Sequence, residues 1–178
     1  MKRAIHYKRV LLKLSGEGFG DTDGRGLEME RFITLAKEIR KLSRSGVELA
    51  IVVGGGNILR GAKFSATGKS RVQADQVGMI ATAVNALLLQ DSIERFGVHA
   101  HVVSAIEIKN ITEPFVLRKC LQYLKENKVV IFAGGTGNPY FTTDTAAALR
   151  AVEIGADVML KATQVDGVYT EDPVENPS

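Results

Sequence analysis

Three glycine-rich clusters with polar companions are the parts of this sequence that could do chemistry. They are Ser15–Gly18, Gly54–Asn57 and Gly134–Pro139. Glycine lacks a Cβ, so its backbone can approach a ligand closely, and successive free N–H groups can bind an anion. Any one cluster could equally be glycine-rich for turn geometry only. Three clusters on one edge of a sheet, each with charged or hydroxyl neighbours, favour the binding of phosphate groups.

Cationic side chains lie close to these clusters. Lys13 precedes the first cluster, Arg60 follows the second, and Lys161 lies near the end of a later strand. A buried ammonium group is costly unless it is paired, so Lys13 is predicted to point out of the strand end. Lys161 is compatible with a phosphate contact or with a structural ion pair. Several cations and three amide clusters suit more phosphates than one nucleotide carries, which favours phosphoryl transfer between two bound substrates.

Two common nucleotide-binding motifs are excluded by spacing. The sequence contains no G-x-x-x-x-G-K-[ST] segment, so a P-loop kinase is ruled out. The first cluster has glycines at positions 16, 18 and 20, but the third glycine of a dinucleotide-binding G-x-G-x-x-G would have to stand at Asp21. The sequence therefore does not predict an NAD-binding Rossmann domain.

Strands and helices alternate along the chain in a way that would position the clusters. The predicted strands are Lys8–Leu14, Val47–Val53, Ala100–Ser104, Val129–Ala133 and Asp157–Ala162. The predicted helices are Glu28–Ser45, Asp75–Phe96, Pro114–Asn127 and one that ends at Ile154 and is capped by Thr143 or Asp144. Asp21–Gly26 is predicted to be a surface loop and Val165–Val168 a hairpin turn. This order predicts a three-layer αβα sandwich with a mainly parallel sheet, whose carboxyl edge would gather all three clusters.

Composition sets further limits on the class of protein. The 178 residues are 45% hydrophobic and 24% charged, which excludes a disordered or fibrous chain. The single cysteine, Cys120, excludes a disulfide framework and suits a reducing, cytoplasmic compartment. No uninterrupted apolar run approaches about 18 residues, so no membrane partner is expected. With a net charge of +3, no Trp and no basic cluster, no nucleic-acid partner is expected either.

Four segments resemble bacterial uridylate kinases, which belong to the amino acid kinase superfamily. They are Lys13–Glu17, Gly54–Gly61, Thr136–Asp144 and Leu160–Tyr169. The run Thr136–Asp144 is highly specific, whereas the glycine triplet is shared across the superfamily. The resemblance covers essentially the whole chain. It implies that ATP phosphorylates UMP to give UDP and ADP in pyrimidine nucleotide biosynthesis, with magnesium carried by the ATP.

The resemblance also implies roles for individual residues of this chain. Lys13 and Arg60 would be catalytic, with Asp144 organising the phosphate-facing lysine. ATP would be bound by Lys13, Leu14, Ser15, Gly16, Gly56, Arg60, Thr163, Tyr169 and Asp172. UMP would be bound by Gly55, Asp75, Thr136, Gly137, Asn138, Pro139, Tyr140, Phe141, Thr142 and Thr143. No residue is assigned as a direct metal ligand.

Regulation and assembly are implied by the same resemblance. The loop formed by Asp21, Thr22, Asp23, Gly24, Arg25 and Gly26 matches the region tied to activation by GTP. Family members are hexamers, which the helix Asp75–Phe96 would help to build. The family continues well past Ser178, so residues 1–178 are expected to form a single amino acid kinase-like domain that is incomplete at its C-terminus.

Two alternative functions remain open at this point. One is a kinase of the same superfamily that acts on a carboxylate or carbamate, although Tyr140 and Phe141 beside Thr142 favour a base and a phosphate. The other is a non-catalytic or truncated nucleotide-binding module. Single residues also have structural interpretations: Asp75 could cap the following helix, and Asp144 could simply be an acidic residue in the first turn of its helix.

Overall fold

One sheet of parallel strands organises the part of the chain that the computed structural model describes, residues 7–59 and 70–162. Its strands are β1 (Arg9–Leu14), β2 (Glu48–Val53), β3 (Ala100–Ser104), β4 (Glu113–Pro114), β5 (Val129–Ala133) and β6 (Val158–Ala162). Their spatial order is β4–β3–β5–β2–β1–β6, and every pair of neighbours is parallel. The predicted α/β fold with a mainly parallel sheet is therefore confirmed.

Helices cover both faces of this sheet. They are α1 (Met29–Arg44), α2 (Arg71–Glu94), α3 (Leu117–Lys125) and α4 (Thr143–Ile154). The apolar residues of α1 and α2 form a core with one face, and those of α3 and α4 form a second core with the other. The central strands β2 and β5 are buried along their whole length, as expected for strands covered on both faces. The layers thus follow the predicted αβα arrangement.

The predicted start of the third helix was wrong. Glu113 and Pro114 pair with β3 as a short edge strand, and the helix begins only at Leu117. Proline lacks the N–H group that a central strand needs, but an edge strand leaves one side of its backbone unpaired. Pro114 is therefore tolerated at the outer edge of the sheet rather than in a first helical turn.

Two further helix starts differ from the prediction. The helix α2 begins at Arg71, so Asp75 lies inside the helix and does not cap it. The N-cap of α4 is Thr142, whose hydroxyl accepts a hydrogen bond of 3.2 Å from the backbone N–H of Thr145. A threonine hydroxyl can satisfy one of the free N–H groups of a first turn, so the cap lies one residue before Thr143 and two before Asp144.

The helix α2 is the one described element that is long and apolar enough to cross a membrane. Its best 18-residue window has a mean hydropathy of 1.2. Length and composition do not separate a membrane span from the central helix of a folded domain. In this fold Ala86, Leu89 and Ile93 are fully buried in the core, so α2 is a core helix.

Candidate functional site

The carboxyl ends of β1 and β2 are packed backbone to backbone at their glycine clusters. The N–H of Gly54 donates to the carbonyl of Leu14 at 2.9 Å. A Cβ added to Gly16 would lie 2.3 Å from the backbone nitrogen of Gly56, closer than any side chain tolerates. Glycine is therefore required at position 16 because the two loops touch there.

The helix α2 closes the other side of the second glycine cluster. A Cβ on Gly55 would lie 2.9 Å from both the Cβ of Ala81 and the carbonyl oxygen of Gly78. The loop after β5 also meets α2, because the N–H of Gly134 donates to the hydroxyl of Thr82 at 2.7 Å. The three glycine clusters thus gather at one edge of the sheet, which confirms the predicted arrangement.

A cleft of about 350 Å³ lies between these loops, α2 and the start of α4. Predicted UMP residues that line it are Gly55, Asp75, Thr136, Asn138, Phe141, Thr142 and Thr143, and the predicted ATP residue Gly56 lines it too. Lining residues that sequence reasoning missed are Leu59, Arg71, Ala74, Gly78, Met79, Thr82 and Gly135. Of these, Arg71, Gly78, Met79 and Thr82 lie three, four or seven positions from Asp75 along α2, a signal that could have found them.

Asp75 joins α2 to the loop after β5. Its carboxylate accepts hydrogen bonds of 2.9 Å from the Nε of Arg71 and one of 2.8 Å from the backbone N–H of Tyr140. Tyr140 has φ +73°, and its exposed ring lies 5.9 Å from the Arg71 guanidinium carbon. Asp75 therefore fixes a left-handed turn beside the cleft. The structural interpretation of Asp75 as a helix cap was wrong.

Two other predicted residues of this loop lie beside the cleft rather than in its lining. Gly137 closes a turn by donating its N–H to the carbonyl of Gly134, and it has φ +83°. A Cβ there would lie 3.1 Å from the carbonyl oxygen of Ala105, so a side chain would be strained. Pro139 lies in the same turn-rich segment before α4. Both residues shape the loop that carries the lining side chains.

Lys13, Asp144 and Lys161 form an ionic cluster next to the cleft. The Nζ of Lys13 lies 2.8 Å from Oδ1 of Asp144, and the Nζ of Lys161 lies 2.8 Å from Oδ2. The two lysines stand side by side in the register of β1 and β6, while Asp144 projects from the first turn of α4. The side chain of Lys13 is only 10% exposed, and its ammonium group is paired with the carboxylate of Asp144. Pairing with a carboxylate makes this burial possible.

The charges of the cluster control the ionisation of Asp144. Its partial burial would by itself raise the pKa of the carboxyl group, but hydrogen bonds from Lys13 and Lys161 outweigh the burial and lower the pKa below its usual value. Asp144 is therefore ionised throughout the neutral range. It holds two ammonium groups together at the carboxyl ends of β1 and β6.

The described residues contain no group of three His, Cys, Asp or Glu side chains that could hold a metal ion. The carboxylate of Asp144 is already engaged by two lysines, and that of Asp75 by Arg71 and Tyr140. Among the described residues, these two carboxylates could therefore take a metal ion only by giving up these partners.

The remaining predicted residues fall in three places. Leu14 and Ser15 line a second cavity of about 570 Å³ between the end of β1 and α1. Asp21–Gly26 is a loop, as predicted, in which the Asp21 carboxylate accepts hydrogen bonds from the N–H groups of Asp23 and Arg25. Predicted residues that lie outside the described part of the chain are Arg60, Thr163, Tyr169 and Asp172, together with the hairpin Val165–Val168.

Comparisons with known proteins agree with this geometry. A model of the amino acid kinase family matches residues 8–178. A protein of Methylococcus capsulatus named uridylate kinase is 52% identical over 171 residues, which are 96% of this chain and 72% of that protein. The UMP kinase structure from Bacillus anthracis has a TM-score of 0.90 at 38% identity, covering 97% of this chain and 71% of that one. The UMP kinase structure from Ureaplasma parvum has a TM-score of 0.89 at 35% identity, covering 98% and 74%.

Proposed function

This chain belongs to the uridylate kinases of the amino acid kinase family, and from that premise we propose that it transfers the γ-phosphoryl group of ATP to UMP. A phosphate oxygen of UMP forms the new P–O bond, the bond between the γ-phosphorus and the β–γ bridging oxygen breaks, and UDP and ADP leave. The observation that carries the proposal is the cleft beside the ionic cluster of Lys13, Asp144 and Lys161. It combines a nucleotide-sized space with a charged cluster built on Asp144, the residue that follows the lining residue Thr143.

UMP occupies the cleft of about 350 Å³ in this proposal. Its phosphate lies near Gly55 and the N-terminus of α4, where Thr142 and Thr143 offer hydroxyl groups and free N–H groups. Its ribose lies beside Asp75, and Phe141 covers the base. The other residues proposed to bind UMP are Thr136, Gly137, Asn138, Pro139 and Tyr140.

Lys13 acts on the transferring phosphoryl group. Its ammonium group is preorganised by Asp144, so it needs little rearrangement to neutralise the charge that spreads over the phosphoryl oxygens. Arg60, outside the described residues, is proposed to act on the same group. Asp144 is a positioning residue for Lys13 in this scheme, because its carboxylate touches the lysine rather than the phosphate.

ATP binds on the β1 side of the cleft in this proposal. The residues proposed to hold it are Lys13, Leu14, Ser15, Gly16, Gly56, Arg60, Thr163, Tyr169 and Asp172. Magnesium carried by ATP would supply charge neutralisation at the phosphates. Within residues 7–59 and 70–162 no protein group is assigned to the metal.

Assembly, regulation and cellular role belong to the proposal as well. We propose one amino acid kinase-like domain over residues 1–178, a homohexamer that uses α2, and a cytoplasmic role in pyrimidine nucleotide biosynthesis. Exposed apolar side chains of α2, such as Val77 and Ile80, support a helix that meets another chain. We also propose that the loop Asp21–Gly26 responds to GTP.

A coupled assay of ADP release, with direct detection of UDP, tests the reaction. We expect UMP-dependent formation of both products in equal amounts and its loss in Lys13→Met. Calorimetry with UMP alone and with ATP alone separates the alternatives. Binding without product formation would favour a non-catalytic nucleotide-binding module, and turnover of a carboxylate or carbamate in place of UMP would favour another kinase of the superfamily.

A further inference from the structure

A stripe of polar and small residues runs along one face of the helix α2. Asp75, Gly78, Thr82 and Asn85 follow one another at intervals of three or four residues, so they share one face of the helix. Thr82 is 5% exposed and Asn85 is fully buried. Burying a polar side chain costs free energy unless it forms hydrogen bonds. The hydrogen-bond partners of Thr82 and Asn85 therefore indicate what this face of α2 does.

Thr82 ties α2 to the loop after β5. Its hydroxyl donates to the carbonyl of Met79 at 2.6 Å and accepts from the N–H of Gly134 at 2.7 Å. Gly134 has φ +77° and begins the segment that carries Thr136 and Asn138 into the cleft. The Thr82 hydroxyl thus anchors the start of this segment to α2, while the Asp75 carboxylate anchors its end at Tyr140.

Asn85, one turn further along α2, ties the helix to the glycine cluster after β2. Its Nδ2 donates to the carbonyl of Gly54 and to Oδ1 of Asn57, both at 2.7 Å. The amide of Asn57 returns a hydrogen bond of 3.1 Å to Oδ1 of Asn85 and donates to the carbonyl of Gly26 at 2.8 Å. The paired side-chain amides of Asn57 and Asn85 thus fix the glycine cluster Gly54–Asn57 to the buried face of α2.

We propose that Thr82 and Asn85 are positioning residues for phosphoryl transfer. This inference rests on the proposed function. The two residues fix the loops after β5 and β2 to one rigid helix, and so they set the width of the cleft between those loops. Rates of group transfer are sensitive to displacements of about 1 Å, because the reacting atoms must be held close and aligned. Apolar side chains at positions 82 and 85 could fill the same space, but they could not form the hydrogen bonds that hold the two loops against α2.

Thr82→Val is the first test, because valine keeps the shape of the side chain and removes the hydroxyl. We expect the KM for UMP to rise about tenfold, since the segment with Thr136 loses its anchor, and Thr82→Ser to restore it. Ser92→Ala is the matched control: Ser92 is also buried on α2 and its hydroxyl donates to the carbonyl of Leu88, but none of its described contacts reaches a glycine loop. The control should lower stability without changing this KM.

Asn85→Leu is the second test and should lower kcat, because the cluster that carries Gly55 and Gly56 loses its inner support. Its control is Gln90→Met, which removes an amide that donates to the carbonyl of Ala100 at 2.9 Å, away from the cleft.

Hydrogen–deuterium exchange gives a readout of the Thr82 variants that is independent of turnover. The amide of Gly134 should exchange faster in Thr82→Val, or in Thr82→Ala if the valine variant does not fold, and not in Ser92→Ala.

Two results would separate the inference from its premise. A wild-type chain that makes no UDP would refute the proposed function. A wild-type chain that makes UDP, beside a Thr82→Val variant whose KM is unchanged or matches that of Ser92→Ala, would overturn the positioning role alone. A Thr82→Ser variant as impaired as Thr82→Val would overturn it as well.

Discussion

Replacing Asp144 by asparagine removes the one negative charge between Lys13 and Lys161. In the wild-type protein each of its carboxylate oxygens lies 2.8 Å from an ammonium group. The variant keeps the shape of the side chain, but it leaves Lys13 buried beside a neutral amide and facing a second cation. We expect the folded state to lose stability for this electrostatic reason and not through lost packing.

The expected size of the loss follows from the exposure of the cluster. Removing one partner of a fully buried ion pair costs about 3–5 kcal/mol. The Asp144 side chain is 46% exposed, so solvent screening reduces the effect, and we expect about 1–2 kcal/mol. For a chain of this size each kcal/mol changes the melting temperature by about 2–4 °C.

The loss should depend on pH in a defined direction. Because the pKa of Asp144 is lowered in the folded state, its stabilising effect is fully present above the unfolded-state pKa of about 3.9. The effect disappears as the pH falls through the lower folded-state pKa. The wild-type protein and Asp144→Asn should therefore differ most near neutral pH and converge in strong acid.

Urea unfolding followed by circular dichroism, at neutral pH and in steps toward acid, measures this difference. Asp91→Asn is the matched control, because Asp91 forms an exposed helical pair with Arg95 at 2.8 Å. That variant should lose less than about 0.5 kcal/mol at neutral pH. Equal losses for the two variants, or a loss in Asp144→Asn that persists unchanged in strong acid, would refute the reasoning.

Three further predictions concern the cleft and the core. Gly55→Ala should weaken UMP binding in calorimetry because its Cβ would force α2 away, whereas Gly18→Ala, which meets no atom within 4 Å, should not. Asp75→Asn should raise the KM for UMP about fivefold, because the Tyr140 N–H would lose a charged acceptor; an unchanged KM would remove Asp75 from the ribose site. Burial raises the pKa of the Cys120 thiol to about 11, so thiol reagents at pH 8 should react only after unfolding, and rapid reaction of the native protein would contradict this.

The main elements of the fold could be predicted from local sequence patterns. The bounds of β3 and β5 are those predicted, because short apolar runs between turn residues specify buried strands. The errors occurred at element boundaries, one decided by a tertiary pairing and the other by a local hydrogen bond. Pro114 pairs at the sheet edge instead of opening a helix, and Thr142 takes the cap that was expected at Thr143 or Asp144.

The candidate site was predictable in part for a similar reason. Gly55, Thr136 and Thr143 come together because parallel strands bring their carboxyl ends to one edge, and this follows from element order. Sequence reasoning did not predict that Lys13 would be buried, and it missed Thr82 as a lining residue. Nothing local to either residue reveals the partner that makes its burial possible.

The sequence by itself determined the order of strands and helices, the glycine clusters at the strand ends, and the motifs that identify the family. The tertiary structure alone decided that Asp144 stands between Lys13 and Lys161, and that Asn57 pairs with Asn85 in the core. The physical reason is that these polar groups are distant in sequence and become partners only when the register of the sheet and the packing of the helices bring them within hydrogen-bonding distance. Short-range patterns record which residues are apolar and where the chain turns, but the free energy of a buried charge or amide depends on what lies next to it in space.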